Sequence, residues 1–214
     1  MNWCRSEIVK RSRKEWWRPS GYSHATWLLA GPKRRDEIDE SEAIDLPGIQ
    51  IRAATRDDLP RLTEIYNHYV LHTPVTFDIA PWAIEQRIPW FEQFDKTGRY
   101  RLLVAEKDSL VVGYAGTTRF RPKAAYDTTV ETTIYCAPES IGKGLGTQLY
   151  AALFATLSGE NIHRIVAGYV PPNPISAALH ERFGFKAVGV FSENGYKFNR
   201  YWDVCWMERP LKTL

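Results

Sequence analysis

Apolar residues recur along this chain at two spacings, every second position and every third or fourth, and the spacings alternate from about Ile49 onward. Ile49-Gln50-Ile51-Arg52-Ala53 alternates and predicts a first strand. Leu62, Ile65, Tyr66, Tyr69 and Val70 fall on one helical face. That helix opens at a capping box, Thr55 with Asp58 three residues on, and Pro60 suits its first turn. Val75-Thr76-Phe77 predicts a short extended piece, and a second helix is expected over residues 82–94, bent or broken near Pro89. Residues 100–106 and 110–116 read as a hairpin around Lys107-Asp108-Ser109, and residues 120–127 as a loop. A β-branched and aromatic run follows, Val130-Glu131-Thr132-Thr133-Ile134-Tyr135-Cys136-Ala137, stopped by Pro138, which has no N–H to give a ladder. A helix is predicted over 147–157, a strand over 164–170, a break at Pro171-Pro172-Asn173-Pro174, and a short helix over 176–183 closed by Gly184. Strands at 187–191 and 201–207 complete the pattern. Helices interleaved with a mostly antiparallel sheet describe an α/β (α+β) fold.

Between the central strand and the helix at 147 lies Gly142-Lys143-Gly144-Leu145-Gly146-Thr147. A strand, a glycine turn and a helix start leave backbone N–H groups unpaired at the positive end of a helix dipole, which favours a phosphate ligand. A P-loop requires Lys-Ser or Lys-Thr directly after the last glycine, and Gly146 is followed by Thr147-Gln148. A dinucleotide fingerprint spaces its glycines G-x-G-x-x-G, and this run is G-x-G-x-G. The turn alone fits a plain helix cap equally well. Glu131 changes the picture, because a carboxylate among apolar and β-branched residues is costly when unpaired. On its own such a residue is more often a salt-bridge partner or an exposed face.

Taken with their neighbours, these stretches resemble the acetyl-CoA site of the GNAT N-acetyltransferases and, within them, the phosphinothricin N-acetyltransferase group. The matching residues run in the family's order from about Ile49 to Leu211: Tyr66-Asn67-His68-Tyr69, Thr76-Phe77, Ala125-Tyr126-Asp127, residues 129–135, Gly144-Leu145-Gly146, Asn173-Pro174, Leu179-His180-Glu181, Gly184-Phe185 and Gly195-Tyr196-Lys197. The resemblance implies a three-layer fold, a mixed, mostly antiparallel sheet flanked by helices, over residues 49–214. It implies acetylation of the α-amino group of a small amino-acid-like substrate such as phosphinothricin, methionine sulfone or methionine sulfoximine, with acetyl-CoA as co-substrate. It implies Glu131 as general base and His180 as the group that protonates the leaving thiolate. For the cofactor it implies the backbone of Ile134, Tyr135 and Cys136 along the pantetheine arm. Gly142, Lys143, Gly144, Leu145, Gly146 and Thr147 would hold the pyrophosphate, with Asn173 beyond the strand gap. For the substrate it implies Phe77, Arg121, Lys123 and Tyr126, two cations and two aromatic walls. One residue departs from the pattern: Ile141 stands where GNAT loops usually carry Arg or Gln. A homodimer is implied as well, with Tyr201, Trp202 and Trp206 suited to an interface.

Composition narrows the classes. The chain has 214 residues, 44% hydrophobic and 25% charged, enough for one domain with a full core. A net charge of +3 is too small to argue for nucleic acid, and no apolar run is long enough to span a bilayer. Cys4, Cys136 and Cys205 match neither a disulfide framework nor zinc spacing, so no metal is expected and a cytoplasmic setting fits. Cys136 reads as a small buried hydrophobe rather than a nucleophile. Residues 1–48 differ in character, basic and tryptophan-rich to Arg35 and then acidic, and are expected to form a loosely ordered extension. Two other functions stay open on these grounds: an acetyltransferase of protein or peptide amines, and a non-catalytic acyl-CoA-binding module.

Overall fold

The computed structural model describes residues 48–211. The expected N-terminal extension therefore lies outside the described residues, apart from Gly48. In chain order the elements are β1 (Ile49–Ala53), α1 (Leu59–His72), α2 (Ile84–Phe91), β2 (Leu102–Lys107), β3 (Leu110–Arg119), β4 (Thr129–Cys136), α3 (Leu145–Thr156), β5 (Arg164–Tyr169), α4 (Pro174–Arg182), β6 (Lys186–Lys197) and β7 (Arg200–Pro210). The strands form one seven-stranded sheet in the order β1-β2-β3-β4-β5-β7-β6. Every neighbouring pair is antiparallel except β4 and β5, which run parallel. The expected α/β three-layer architecture is therefore what the chain adopts.

Alternation along the strands builds two cores. On one face Leu103, Ala105, Val130 and Ile165 meet Leu145, Leu149 and Leu153 of α3. On the other, Leu102, Val104 and Tyr114 meet Leu62 and Ile65 of α1. The start of α1 is fixed electrostatically. The Asp58 carboxylate accepts from the Thr55 N–H at 2.7 Å and from Arg52 at 2.7 and 2.8 Å. Burial works against its charge, but Arg52 and Thr55 outweigh that and hold Asp58 below the usual carboxylate range.

Several boundaries differ from the sequence pattern: β3 and β7 are longer than 110–116 and 201–207 and α4 starts at Pro174, and three further differences have a visible local reason. The second helix is shorter than residues 82–94. Asn67 grips both the N–H and the C=O of Trp82, at 2.9 and 2.8 Å, which keeps that residue out of the helix. Pro89 sits inside α2 without breaking it, and the Glu92 N–H still reaches the Ile88 C=O at 3.0 Å. β6 is much longer than 187–191. Its register slips between Ala187 and Gly189 and again between Phe191 and Gly195, so no single alternation runs through it. α3 starts at Leu145 rather than 147, because Gly144 takes a left-handed φ of 82° as its N-cap.

Leu149 carries the α3–sheet contact and is fully enclosed. Leu149→Ala should lower the unfolding free energy by about 2–5 kcal/mol, seen as a lower urea midpoint at unchanged slope. A midpoint equal to wild type would show that α3 does not hold the sheet.

Candidate active site

The site begins where the sheet opens. β4 and β5 pair only through Thr129, Val130 and Glu131, opposite Arg164, Ile165 and Val166. Beyond Glu131 the two strands part, while β4 stays paired to β3 as far as Cys136 opposite Gly113. Hydrogen bonds in an antiparallel pair alternate along the strand. The Ala137 N–H donates to the Val112 C=O at 2.8 Å, so by alternation Tyr135, Thr133 and Glu131 give their backbone groups to β3. Ile134 and Cys136 then point theirs into the gap, where no strand pairs with them. The Tyr69 hydroxyl confirms that direction, donating to the Cys136 C=O at 2.6 Å. Of the three residues expected along a pantetheine arm, Ile134 and the Cys136 N–H are free to pair with it, while the Cys136 C=O already accepts from Tyr69. The Tyr135 backbone is committed to β3, and its ring packs instead against Tyr66, Tyr69 and Tyr114.

A cavity of about 610 Å³ occupies the gap and runs to the glycine turn. Gly142 and Gly144 both have left-handed φ, 78° and 82°. The first bonds of α3 are Thr147 and Gln148 donating to the Gly144 C=O, at 3.0 and 3.2 Å. Among the described residues no backbone carbonyl accepts from the N–H groups of Gly142, Lys143, Gly144, Leu145 or Gly146. Those five N–H groups thus lie ahead of the helix dipole, a cradle for an anion. Thr147 lines the cavity, but its N–H is already used by the helix. The Lys143 ammonium folds back onto the Glu139 C=O at 2.7 Å, while Ile141 is 41% exposed at the cavity edge. Asn173 lines the far side and caps α4, its Oδ1 accepting from the Ser176 N–H at 3.0 Å. That leaves its amide N–H groups for a ligand.

Glu131 stands at the fork on the α1 face of the sheet, in alternation with Thr133 and Tyr135. It lines the cavity, and burial raises its pKa, with the positive charge of Arg121 pulling partly the other way. Cys136 faces α3; burial pushes its thiol up to about 12, which suits a packed thiol and not a nucleophile. His180 is 3% exposed and held on both nitrogens. Its Nδ1 lies 2.6 Å from the Ser176 C=O, which only accepts, so Nδ1 carries the proton. Nε2 then accepts from the Tyr150 hydroxyl at 3.1 Å. Burial lowers its pKa, which keeps the ring neutral. Against the expectation of a proton donor, His180 thus presents no N–H to the cavity and works as a hydrogen-bonded tie between α3 and α4.

The substrate-side residues lie outside the cavity lining. Arg121, Lys123 and Tyr126 are exposed on the loop between β3 and β4, with the Arg121 guanidinium 4.9 Å from the Phe120 ring centroid. Phe120 packs edge-on to Trp206, which covers Gly168 of β5. Trp206 is half-buried by these contacts and Trp202 by its Nε1 bond to the Lys197 C=O and the Arg200 guanidinium over its ring; of the three residues expected at an interface, only Tyr201 is exposed. Phe77 leans on Gly195 of β6. Sequence reading missed Tyr69 and Tyr150, which fell in with the apolar faces of their helices. It also missed Val75 and Leu179 of the cavity wall. No group of three or more His, Cys, Asp or Glu among the described residues could hold a metal ion.

The cradle gives a direct prediction. Gly144→Val, which forces a branched side chain into the left-handed region, should abolish acetyl-CoA binding in calorimetry. Ile141→Arg should tighten it about fivefold, ~1 kcal/mol for one charge-assisted contact. Normal affinity in Gly144→Val would mean the anion is held elsewhere.

Residues 51–206 match the family model for the acetyltransferase (GNAT) domain. A phosphinothricin N-acetyltransferase of Streptomyces coelicolor is 49% identical, over 78% of this chain and 100% of its own length. An L-methionine sulfoximine/L-methionine sulfone acetyltransferase of Salmonella typhimurium is 35% identical, over 75% of this chain and 94% of its own. A phosphinothricin acetyltransferase from Sinorhizobium meliloti, solved in complex with acetyl-CoA, superimposes with a TM-score of 0.70 at 32% identity, covering 76% of this chain and 88% of that one. The forked sheet, the glycine cradle and these matches agree: the chain belongs to the GNAT family of acetyltransferases.

Proposed function

We propose that this protein transfers the acetyl group of acetyl-CoA to the α-amino group of a small amino-acid-like substrate of the phosphinothricin or methionine sulfoximine kind. The observation that carries this reading is Glu131, a half-buried carboxylate at the point where β4 loses β5. The relatives' names supply the substrate class. The residues present suit acetyl-CoA. The N–H groups of residues 142–146 match a pyrophosphate, and the unpaired edge at Ile134 and Cys136 matches the amide-bearing pantetheine arm, which adds like a strand.

Amide formation needs a neutral amine, since an ammonium has no lone pair to attack the thioester carbon. Glu131 takes one proton from the ammonium; the nitrogen attacks the thioester carbon, the C–S bond breaks and the thiolate leaves, and the second nitrogen proton passes through water to the thiolate or to solvent. From Glu131 to Ile134 is about 10 Å along a strand, which leaves room for one water between carboxylate and amine. The Ile134 N–H, aimed into the gap, is placed to stabilise the oxyanion. A thiolate leaves without an acid, which accords with a neutral His180 whose part is to hold Tyr150 and α4 in place. Arg121 and Lys123 supply positive charge for the anionic end of the substrate. Lysine offers that charge without arginine's bidentate fork.

The pH dependence follows from Glu131. The base works only when ionised, so kcat/KM falls as pH drops through its pKa, which burial places above the ordinary carboxylate value. Glu131→Gln should lower kcat by about 10²–10⁴-fold at neutral pH, remove that acidic limb, and recover as pH rises and the amine loses its own proton. The assay is thiol release from acetyl-CoA with a panel of amino acids and analogues; wild-type turnover in Glu131→Gln would take Glu131 out of the mechanism. Arg121→Ala or Lys123→Ala should instead raise KM for an anionic substrate. Equal loss with a neutral amine would count against that role.

The protein is also proposed to be a cytoplasmic homodimer. Val188, Val190, Phe191, Tyr196 and Tyr201 are all at least half exposed on the β6–β7 hairpin, an apolar surface of the kind that interfaces cover. Sedimentation at micromolar concentration should give twice the chain mass; a monomer would reject the dimer.

A further inference from the structure

Residues 73–83 join α1 to α2 without helix or strand, yet they are bound tightly at both ends. From α1, the Tyr66 hydroxyl lies 2.6 Å from Thr76 Oγ1 and donates to Asp78 at 2.7 Å. Trp82 Nε1 donates to the same carboxylate at 2.7 Å. Val75 and Thr76 of this segment line the cavity beside Glu131 and Thr133. The segment is therefore a wall of the site.

The same wall is gripped from β6, far away in sequence. Lys197 is 4% exposed, and its ammonium donates to the Thr76 C=O at 2.8 Å. Burying an ammonium is costly, so its bond to the Thr76 C=O, with the Asp78 charge acting on it as well, marks a fixed geometry. Two residues earlier, Gly195 has no side chain where one would collide with Phe77: a Cβ there would stand 2.2 Å from the Phe77 ring. The ring lies flush on bare backbone. One tie holds the segment by its carbonyl and the other by an aromatic face.

We infer that Gly195 and Lys197 are positioning residues for the acceptor amine: the end of β6, holding Thr76 by its carbonyl and its neighbour Phe77 by its ring, sets the place of the Val75–Thr76 wall and so the fit of the substrate. This rests on the acetyltransferase reading above. Neither residue lines the cavity, and the wall they hold lines it together with Glu131, so the effect is expected on the amine rather than on acetyl-CoA. A strand edge that also carries the exposed apolar surface of the hairpin thereby bears on specificity through packing alone.

The test compares wild type, Gly195→Ala, Lys197→Met, Phe77→Leu and the double variant Gly195→Ala/Phe77→Leu. Each is measured for amine KM, kcat and acetyl-CoA dissociation constant, with melting temperature as a control. Gly195→Ala and Lys197→Met should raise amine KM at least fivefold with acetyl-CoA affinity within twofold of wild type. Phe77→Leu should make Gly195→Ala nearly silent, because the smaller side chain clears the methyl group; the two effects would then fail to add. Unchanged amine KM in both single variants, or KM and acetyl-CoA affinity lost together, would overturn the inference. So would strict additivity in the double variant. A wild type that releases no thiol with any amine would instead overturn the acetyltransferase reading, and acetyl-CoA binding would still report on the fold of each variant.

Discussion

The structure depends on a sheet that cannot stay closed. β4 keeps β3 along its whole length and keeps β5 for three residues only. Past that point the backbone groups of Ile134 and Cys136 have no strand partner and face the cavity, a half-buried edge with donors and acceptors to offer. The fold satisfies one of these with Tyr69, whose hydroxyl covers the Cys136 carbonyl. In the proposed function the remaining groups pair with the amides of the pantetheine arm. Everything chemical is arranged around that gap: the cradle at its far end on α3, the carboxylate at its fork, and the wall formed by residues 75 and 76.

Two electrostatic environments sit close together in the site and do different work. The cradle is positive through oriented N–H groups, with Lys143 tied back to Glu139 and so not required for the charge. The fork is a carboxylate pushed by burial toward holding a proton and pulled back by Arg121. That balance suits a base that must accept a proton and release it again. His180 shows the opposite outcome. It is bonded on both nitrogens, to Ser176 and Tyr150, and burial lowers its pKa.

Much of this was legible in the chain. The β-branched and aromatic run over residues 130–136, Pro138, and three glycines at alternate positions already describe a strand, a stop and a helix start. Glu131 stood out because it broke the apolar pattern. What the chain could not show was partnership at a distance. The direction of the Ile134 backbone depends on which residues of β4 bond to β3. The state of His180 depends on Ser176 one turn back and on Tyr150 across the helix pair. The length of β6 was hidden by its bulges, since periodicity fails wherever an extra residue enters the ladder. Gly195 and Lys197 read as loop residues for the same reason, and their grip on Phe77 and Thr76 is visible only in three dimensions.

Amide-resolved hydrogen exchange on the protein with and without acetyl-CoA tests the central claim most directly, because it reads the gap itself. The Ile134 and Cys136 amides and those of residues 142–146 should exchange fast in the free protein and become protected on binding. The amides of Tyr135 and Thr133, already paired to β3, should change little. Protection that falls on Tyr135 instead, or spares Ile134 and Cys136, would contradict the account of an open strand edge that the cofactor completes.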